Sequence, residues 1–207
     1  SINALKELTI TLLGKRAKRN ALEIESSEPI LKINNIGAVE AINLSTRMFA
    51  HQMIEEAMIA ANICAITFVK NSIGISINRF HDKPDTDKLL ALFEKFQSLG
   101  LKKSDDPIIL LQRCIEIAKR SENAASLQSL ILQGLPRAIY SSKKSGHFGL
   151  QLEDYSHFTS PIRRYPDLII HRLIKSILKK EKVHFDEEVF EEECGNLSDL
   201  EKRAEKS

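Results

Sequence analysis

Apolar residues recur at helical spacing along most of the chain, interrupted by short stretches in which apolar and polar residues alternate. Leu5, Leu8 and Leu12 mark one face of a predicted N-terminal helix over residues 3–19. Residues 21–44 alternate and contain polar turn residues, which predicts two or three short antiparallel strands. The pattern therefore predicts a helix followed by a small β region.

A second, longer helix is predicted to run to about Lys70, with Ser45 or Thr46 as its N-cap. It is apolar on nearly all sides, which is typical of a buried helix. Its predicted apolar face consists of residues at helical spacing, namely Met53, Ala57, Ala61, Cys64 and Phe68.

The remainder of the chain predicts further helices and short strands. In chain order these are a strand at Ile75 and Ile77, a helix with Thr86 as its N-cap that ends at Gly100, helices over 107–120 and 123–133, a strand from His147 to Leu152, a helix over 166–180 and a last helix capped by Asp186. Together the elements predict the α+β class, with a long buried central helix, short antiparallel strands and flanking helices.

Composition is that of a globular protein, because 43% of the 207 residues are hydrophobic. The net charge of +2 is too small to indicate nucleic-acid binding when averaged over the surface. The three cysteines lack metal-ligand spacing, which predicts a reducing, cytoplasmic environment, and Cys64 and Cys114 are expected to be buried. The sequence contains no run of about 18 apolar residues, so no membrane span is predicted.

The segment over residues 147–172 carries the densest candidate chemistry. Arg163 and Arg164 lie between Pro161 and Pro166, next to the predicted start of a helix. A helix N-terminus favours anions, and a guanidinium can bind a phosphate through two parallel hydrogen bonds.

Two interpretations of these arginines remain open. In the first they contact phosphate, with the aromatic residues and histidines of the segment available for stacking on bases. In the second they lie on an ordinary surface loop and pair with Glu153, Asp154 or Asp167.

The long central helix carries a polar stripe as well. His51, Glu55 and Asn62 fall within about 40° of one another around the helix axis. They could hold ribose hydroxyls or hydrogen-bond neighbouring backbone, and the residue pattern favours the structural role. The basic run over residues 14–19 is interpreted mainly as a solvated helix end.

These segments resemble a known family. HFGLQLEDYSHFTSPIRRYPDLIIHR closely resembles part of the ribonuclease R/ribonuclease II catalytic domain, known as the RNB domain. Further segments resemble the same family in the same order, namely KRAKRNALEIES, HQMIEEAMIAANICA, NRFHDKPDTDKL and LSDLEKRAE, and the third of these is closer to ribonuclease R.

The resemblance implies that residues 1–207 are a C-terminal portion of one RNB-type catalytic domain, truncated at both ends. It implies a processive 3′→5′ exoribonuclease that hydrolyses single-stranded RNA to nucleoside 5′-monophosphates. Mg²⁺ is the implied cofactor, and the aspartate cluster that holds it in the family matches no segment of this chain. The implied partners are single-stranded RNA and the remaining N-terminal part of the protein, which is expected to be a cytoplasmic monomer without a membrane anchor.

The resemblance also implies roles for individual residues. Arg163 matches the arginine that contacts the scissile phosphate and is the expected catalytic residue. Ser160, Arg164 and Tyr165 would support the same phosphate or orient Arg163. The other implied RNA-binding residues are Glu55 or Glu56 (with Glu55 preferred) and Asn62 on the long helix, and His147 on the channel wall. No metal ligand is expected in this chain.

Two positions depart from the family pattern. Asn20 stands where glycine is usual, and Ile24 stands about where a base-stacking phenylalanine is expected. These departures keep open the alternative of a non-catalytic RNA-binding module or degenerate homologue. A second alternative is a structural or interaction protein in which Arg163 and Arg164 only pair with acids.

Overall fold

The computed structural model describes residues 1–24, 29–44, 47–184 and 186–205. Its elements in chain order are α1 (Ile2–Lys18), β1 (Pro29–Ile33), β2 (Val39–Leu44), α2 (Phe49–Ile73), β3 (Asn78–Phe80), α3 (Thr86–Gln97), α4 (Pro107–Lys119), α5 (Ala124–Gly134), β4 (Ile139–Ser141), a 3₁₀ turn (Phe148–Leu150), α6 (Tyr165–Leu178) and α7 (Glu187–Ala204). The predicted caps Ser45 and Thr46 lie outside the described residues.

Helices and two antiparallel strand pairs, β1–β2 and β3–β4, make up the fold and confirm the predicted α+β class. The chain divides into two compact units by its internal contacts. Unit 1 consists of Ser1–Lys6, Leu22–Ile54 and Pro84–Leu135, and unit 2 consists of Glu7–Ala21, Glu55–Lys83 and the residues from Pro136 onwards. The sequence-based assignment to a portion of one domain stays a prediction.

Unit 1 contains the β1–β2 hairpin. Pro29 pairs with Leu44 and Ile33 with Val39, with one irregularity in the register beside Ile33. The side chain of Asn34 accepts hydrogen bonds from two backbone N–H groups of the connecting turn. Asparagine favours turns because its short side chain can satisfy nearby backbone donors.

Three helices of unit 1, α3, α4 and α5, contact one another in pairs. Their buried apolar residues are Leu92, Phe96, Ile108, Leu110, Leu111, Cys114, Ile115, Ala118 and Ile131. The N-cap of α3 is Asp85, one residue before the predicted Thr86. Gly100 follows α3 with φ +88° and donates its N–H to the carbonyl of Gln97, so its predicted role at the helix end is confirmed.

The core of unit 2 is formed by α2, the β3–β4 pair, α6 and α7. Its buried residues are Ala65, Val69, Ile77, Tyr140, Ile170, Leu173, Phe190 and Cys194. The predicted cap of the last helix is confirmed, because the Asp186 carboxylate accepts hydrogen bonds from the N–H groups of Glu188 and Val189.

The buried side of α2 differs from the predicted one. Cys64 and Phe68, expected inside, are exposed, whereas the buried residues are Glu56, Asn62, Ala65, Ile66 and Val69. A helix that is apolar on nearly every side has no periodicity to identify its inner face. Glu56 and Asn62, which pair with Arg16 and Tyr155 inside the protein, identify the buried face instead.

By length and composition alone, α2 is long and apolar enough to cross a membrane. A single helix of this kind is weak evidence for a span, because core helices of globular proteins meet the same test.

Some short elements also differ from prediction. The predicted strand from His147 to Leu152 is a 3₁₀ turn, and the strand expected at Ile75 and Ile77 begins at Asn78. Strand β4 was not predicted, because three residues are too few to show alternation. In α1, Leu8 is 49% exposed and the neighbouring Thr9 is buried, so the predicted apolar face of α1 is wrong there.

Asn20 lies at the C-terminal end of α1 with φ +59°. Its N–H donates to the carbonyl of Ala17, and the N–H of Ala21 donates to that of Arg16. This is a left-handed helix cap, in which glycine is favoured and asparagine is the commonest substitute. The replacement of the family's usual glycine is therefore compatible with the backbone.

Candidate functional site

The two arginines lie on a loop of unit 2, residues 156–164, that we call the arginine loop. It follows the buried Tyr155 and ends where α6 begins. The loop turns sharply at its end, because the N–H groups of Arg163 and Arg164 both donate to the carbonyl of Ser160. Pro161 and Pro166 restrict the backbone on either side of that turn.

Asp167 in the first turn of α6 fixes the end of this loop. Its side chain is fully buried, and Oδ1 accepts hydrogen bonds from the Ser160 N–H at 2.7 Å and from Arg164 Nη2 at 2.8 Å. A carboxylate in the first turn also interacts favourably with the helix dipole. Asp167 is the principal functional residue missed as such by the sequence reasoning, which treated it only as a possible partner of a surface arginine.

Arg164 is therefore an internal partner of Asp167. Its side chain is 19% exposed and engaged in that ion pair. The predicted pairing of Arg164 with Asp167 is present, although that carboxylate is buried and does not lie on an open surface. The assignment of Arg164 as an RNA-contacting residue stays a prediction. The backbone N–H of Ser160 is engaged by the same carboxylate.

Arg163 differs from Arg164 in its exposure and in its ion pairing. It is exposed, and no carboxylate among the described residues forms an ion pair with it. Ile162 beside it is fully exposed, which places the tip of the turn in solvent. A guanidinium without a counter-charge, carried by a loop whose backbone is fixed, can bind a phosphate.

Asn62 on α2 holds the middle of the arginine loop. Its Oδ1 accepts the N–H groups of Phe158 at 2.9 Å and Thr159 at 3.2 Å, and its Nδ2 donates to the Tyr155 hydroxyl at 3.0 Å. The side chain is buried, and both of its polar atoms have hydrogen-bond partners. These contacts support the structural role that the sequence pattern favoured, and the contact of Asn62 with RNA stays a prediction.

Two histidines hold the loop as well. His171 Nε2 donates to the carbonyl of Phe158, and its ring stacks on the Phe158 ring at 4.2 Å between centroids. His157 Nδ1 lies 2.8 Å from the hydroxyl of Tyr140 on β4. Burial, followed by the nearby charge of Arg164, lowers the pKa of His157 to about 2, so the imidazole is neutral at pH 7.

His147 lies beside Tyr155, the residue that precedes the arginine loop. Its ring makes edge contacts with Tyr155 and His81, and burial lowers its pKa to about 3. It lines an open cavity of about 470 Å³ together with Phe80, His81, Phe148 and other residues of unit 2. The prediction that it lies beside RNA is untested.

The predicted glutamates occupy different environments. Glu56 is 2% exposed and pairs with Arg16 at 2.7 Å. Glu55, which the sequence reasoning preferred as the residue facing RNA, is half-buried. Two residues of the basic run over 14–19 also have partners inside the protein, because Arg16 pairs with Glu56 and Arg19 Nε donates to the Leu150 carbonyl. Which of Glu55 and Glu56 faces the RNA is untested, and the preference for Glu55 stays a prediction.

Tyr165 is 54% exposed and lines a cleft of about 470 Å³ between α6 and α7. The guanidinium carbon of Arg172 lies 5.9 Å from the centre of its ring. The side chain is accessible for stacking, and its predicted contact with RNA is untested.

Divalent metal ions need several carboxylate or imidazole ligands converging on one point. Across the ranges that the structure describes, no group of three or more His, Cys, Asp or Glu side chains is placed to hold a metal ion. These residues therefore do not fit the Mg²⁺ implied by the family resemblance, and no step of the chemistry is assigned to a metal held by them.

Comparison with known proteins gives a consistent result. A family model described as "RNB domain" matches residues 1–180. Ribonuclease R of Escherichia coli is 39% identical over 187 residues, which is 88% of this chain and 23% of that protein. The chain spans about a quarter of the length of the curated relatives it matches.

Solved structures share the fold. RNase R of Mycoplasma genitalium in its apo form superposes with a TM-score of 0.82 at 26% identity, covering 96% of this chain and 32% of that one. The same enzyme in complex with ribose-methylated single-stranded RNA gives a TM-score of 0.81 at 25% identity. Yeast Ssd1, described as a pseudonuclease, gives a TM-score of 0.68 at 20% identity over 95% of this chain and 26% of that one.

Proposed function

Since the chain belongs to the RNB-domain family, we propose that it forms part of a ribonuclease that removes nucleotides one at a time from the 3′ end of single-stranded RNA. The products are nucleoside 5′-monophosphates, and the enzyme acts processively. The observation that carries the proposal is the exposed guanidinium of Arg163 on a loop whose backbone is fixed by buried Asn62 and Asp167. RNase R in complex with single-stranded RNA is a structural neighbour, which supports RNA as the substrate.

Arg163 acts on the phosphate that is cleaved. Hydrolysis to a 5′-monophosphate breaks the bond between phosphorus and the 3′ oxygen of the preceding nucleotide, and negative charge accumulates on the phosphoryl oxygens. The guanidinium donates two hydrogen bonds to those oxygens and stabilises that charge. The loop contributes by preorganisation, because its backbone is already held in the binding conformation.

Mg²⁺ is proposed as the cofactor, with its ligands outside this chain. It would supply an activated water and neutralise phosphate charge. The complete protein is proposed to be a cytoplasmic monomer without a membrane anchor. The unpaired cysteines, of which Cys114 and Cys194 are buried, support a reducing compartment.

A second candidate is a degenerate homologue that binds RNA without cleaving it. The observation that favours it is the likeness in fold to a pseudonuclease. The two functions differ in whether the complete protein turns over RNA.

The 207-residue chain alone is expected to leave RNA intact, because its described residues offer no metal site. The complete protein is expected to shorten a 5′-labelled oligoribonucleotide stepwise in Mg²⁺ and to stop when EDTA is added. Gel analysis of the labelled products, with a deoxyribonucleotide of the same sequence as control, measures both. A complete protein that binds the RNA but never shortens it would establish the non-catalytic alternative, and trimming by the chain alone would contradict the division of the site.

A further inference from the structure

Helix α7 begins after the stretch matched by the family model, which ends at residue 180. It nevertheless contacts strand β4 closely. Ser198 on α7 is 6% exposed, and its Oγ accepts the N–H of Tyr140 at 2.8 Å. The same hydroxyl donates to the carbonyl of Cys194, so the serine is oriented by its own helix. Tyr140 is thereby held to α7 through its backbone.

A partly buried ion pair between Glu201 and Arg79 also connects α7 to the side chain of Tyr140. Glu201 Oε2 lies 2.7 Å from Nη1 of Arg79 on β3, and the Arg79 side chain is only 12% exposed. The guanidinium carbon of Arg79 lies 4.6 Å from the centre of the Tyr140 ring. A guanidinium stacked on an aromatic ring restricts the plane of both groups. Glu201 therefore fixes Arg79, and Arg79 fixes the orientation of the Tyr140 ring.

Tyr140 in turn reaches the arginine loop. Its ring is 3% exposed, and its hydroxyl contacts Nδ1 of His157, three residues before Ser160. Burial raises the pKa of Tyr140 to about 12, so the phenol remains protonated at neutral pH. A protonated phenol and a neutral imidazole form a hydrogen bond of fixed direction, which sets the angle of the His157 ring.

We propose that Glu201, Arg79 and Tyr140 are positioning residues for Arg163, acting from α7 through His157 on the arginine loop. The inference rests on the proposed function and adds to it a structural path that begins in α7. None of the three residues contacts RNA in this account. Their effect is on the position of the guanidinium when charge develops on the phosphate, so they influence turnover more than substrate binding.

The carboxylate and the phenol hydroxyl can each be removed without changing side-chain shape. Glu201→Gln removes the charge that orients Arg79, and Tyr140→Phe removes only the hydroxyl that reaches His157. Glu192→Gln is the matched control, because it makes the same charge change on the same helix at an exposed position. Thermal denaturation of each variant establishes that the fold survives.

Two measurements test the inference. The first is the ¹⁵N spectrum of the His157 imidazole in the full chain, which reports its hydrogen bond and tautomer independently of activity. Tyr140→Phe and Glu201→Gln are both expected to shift the His157 Nδ1 resonance, and Glu192→Gln is expected to leave it unchanged. An unchanged resonance in Glu201→Gln would overturn the path from α7.

The second measurement is steady-state RNA hydrolysis by the complete protein. Each of the two variants is expected to lower kcat about tenfold with little change in KM, and the double variant is expected to lose no more than the more affected single variant. Equal loss in the Glu192→Gln control, or additive losses in the double variant, would overturn the inference. A wild-type protein without hydrolysis would refute the proposed function, and the His157 resonance would still decide the path.

Discussion

Replacing Arg163 by alanine in the complete protein is expected to lower kcat for RNA hydrolysis by about 10²–10³-fold, the usual cost of removing one donor that stabilises transition-state charge. The side chain is exposed and has no ion pair within the described residues, so its loss leaves the folded structure intact. The steady-state rate constants and the thermal unfolding midpoint together measure this separation of activity from stability.

Two further variants sharpen that result. Arg163→Lys keeps the charge but loses the planar pair of donors, so its kcat is expected to lie between those of the wild type and Arg163→Ala. Arg120→Ala is the control, because it removes an exposed arginine at the end of α4. A kcat for Arg163→Ala within a factor of two of the wild type would refute the role of the loop in catalysis.

Replacing Asp167 by alanine is expected to lower the free energy of unfolding by about 3 kcal/mol, the usual cost of breaking a buried ion pair by removing one partner. The carboxylate is fully buried, and its removal leaves Arg164 without its counter-charge and the Ser160 N–H without its acceptor. Urea denaturation followed by circular dichroism measures the change.

Asp167→Asn is expected to cost less, because the amide oxygen can still accept the Ser160 N–H. Asp199→Ala on α7 serves as the control: this carboxylate is exposed and pairs with Lys202 at the surface, so the unfolding midpoint is expected to stay unchanged. Equal midpoints for Asp167→Ala and the wild type would mean that Asp167 does not fix the arginine loop.

The sequence predicted best those elements whose signal depends on neighbouring residues in the chain, such as helical periodicity and helix caps. Helical periodicity and capping residues located α4, α5, α6 and α7 to within a few residues, and the acceptor role of Asp186 was correct. The arginines between Pro161 and Pro166 drew attention to the arginine loop, and the family resemblance implies that this loop contacts an RNA phosphate.

The different environments of Arg163, which is exposed, and Arg164, which pairs with Asp167, could not be predicted from the sequence. Adjacent residues on a turn point in different directions, and the direction depends on the backbone bonds to Ser160 and on the buried carboxylate of Asp167. Likewise, the partner of Asn62 lies 96 residues away, at Phe158. Such contacts arise from tertiary packing and leave no periodic signal in the sequence.

The inner face of α2 was missed for a related reason. Apolar residues surround this helix, so hydrophobicity did not distinguish its two sides. The polar residues Glu56 and Asn62 would have been the better guide, because a buried polar group needs a partner inside the protein. The buried Asn62 hydrogen-bonds the arginine loop and so holds that loop against α2.

The most direct test of the account is photo-cross-linking of labelled RNA to the tip of the arginine loop in the complete protein. Ile162 is fully exposed beside Arg163, so a benzophenone side chain can replace it without disturbing the core. Leu178, 69% exposed and about 20 Å further along α6, carries the same group as control. We predict a cross-link from position 162 to the 3′-terminal nucleotides and none from position 178. Cross-linking from both positions alike, or none from position 162 to RNA that is demonstrably bound, would contradict the central claim that this loop presents Arg163 to the RNA phosphate.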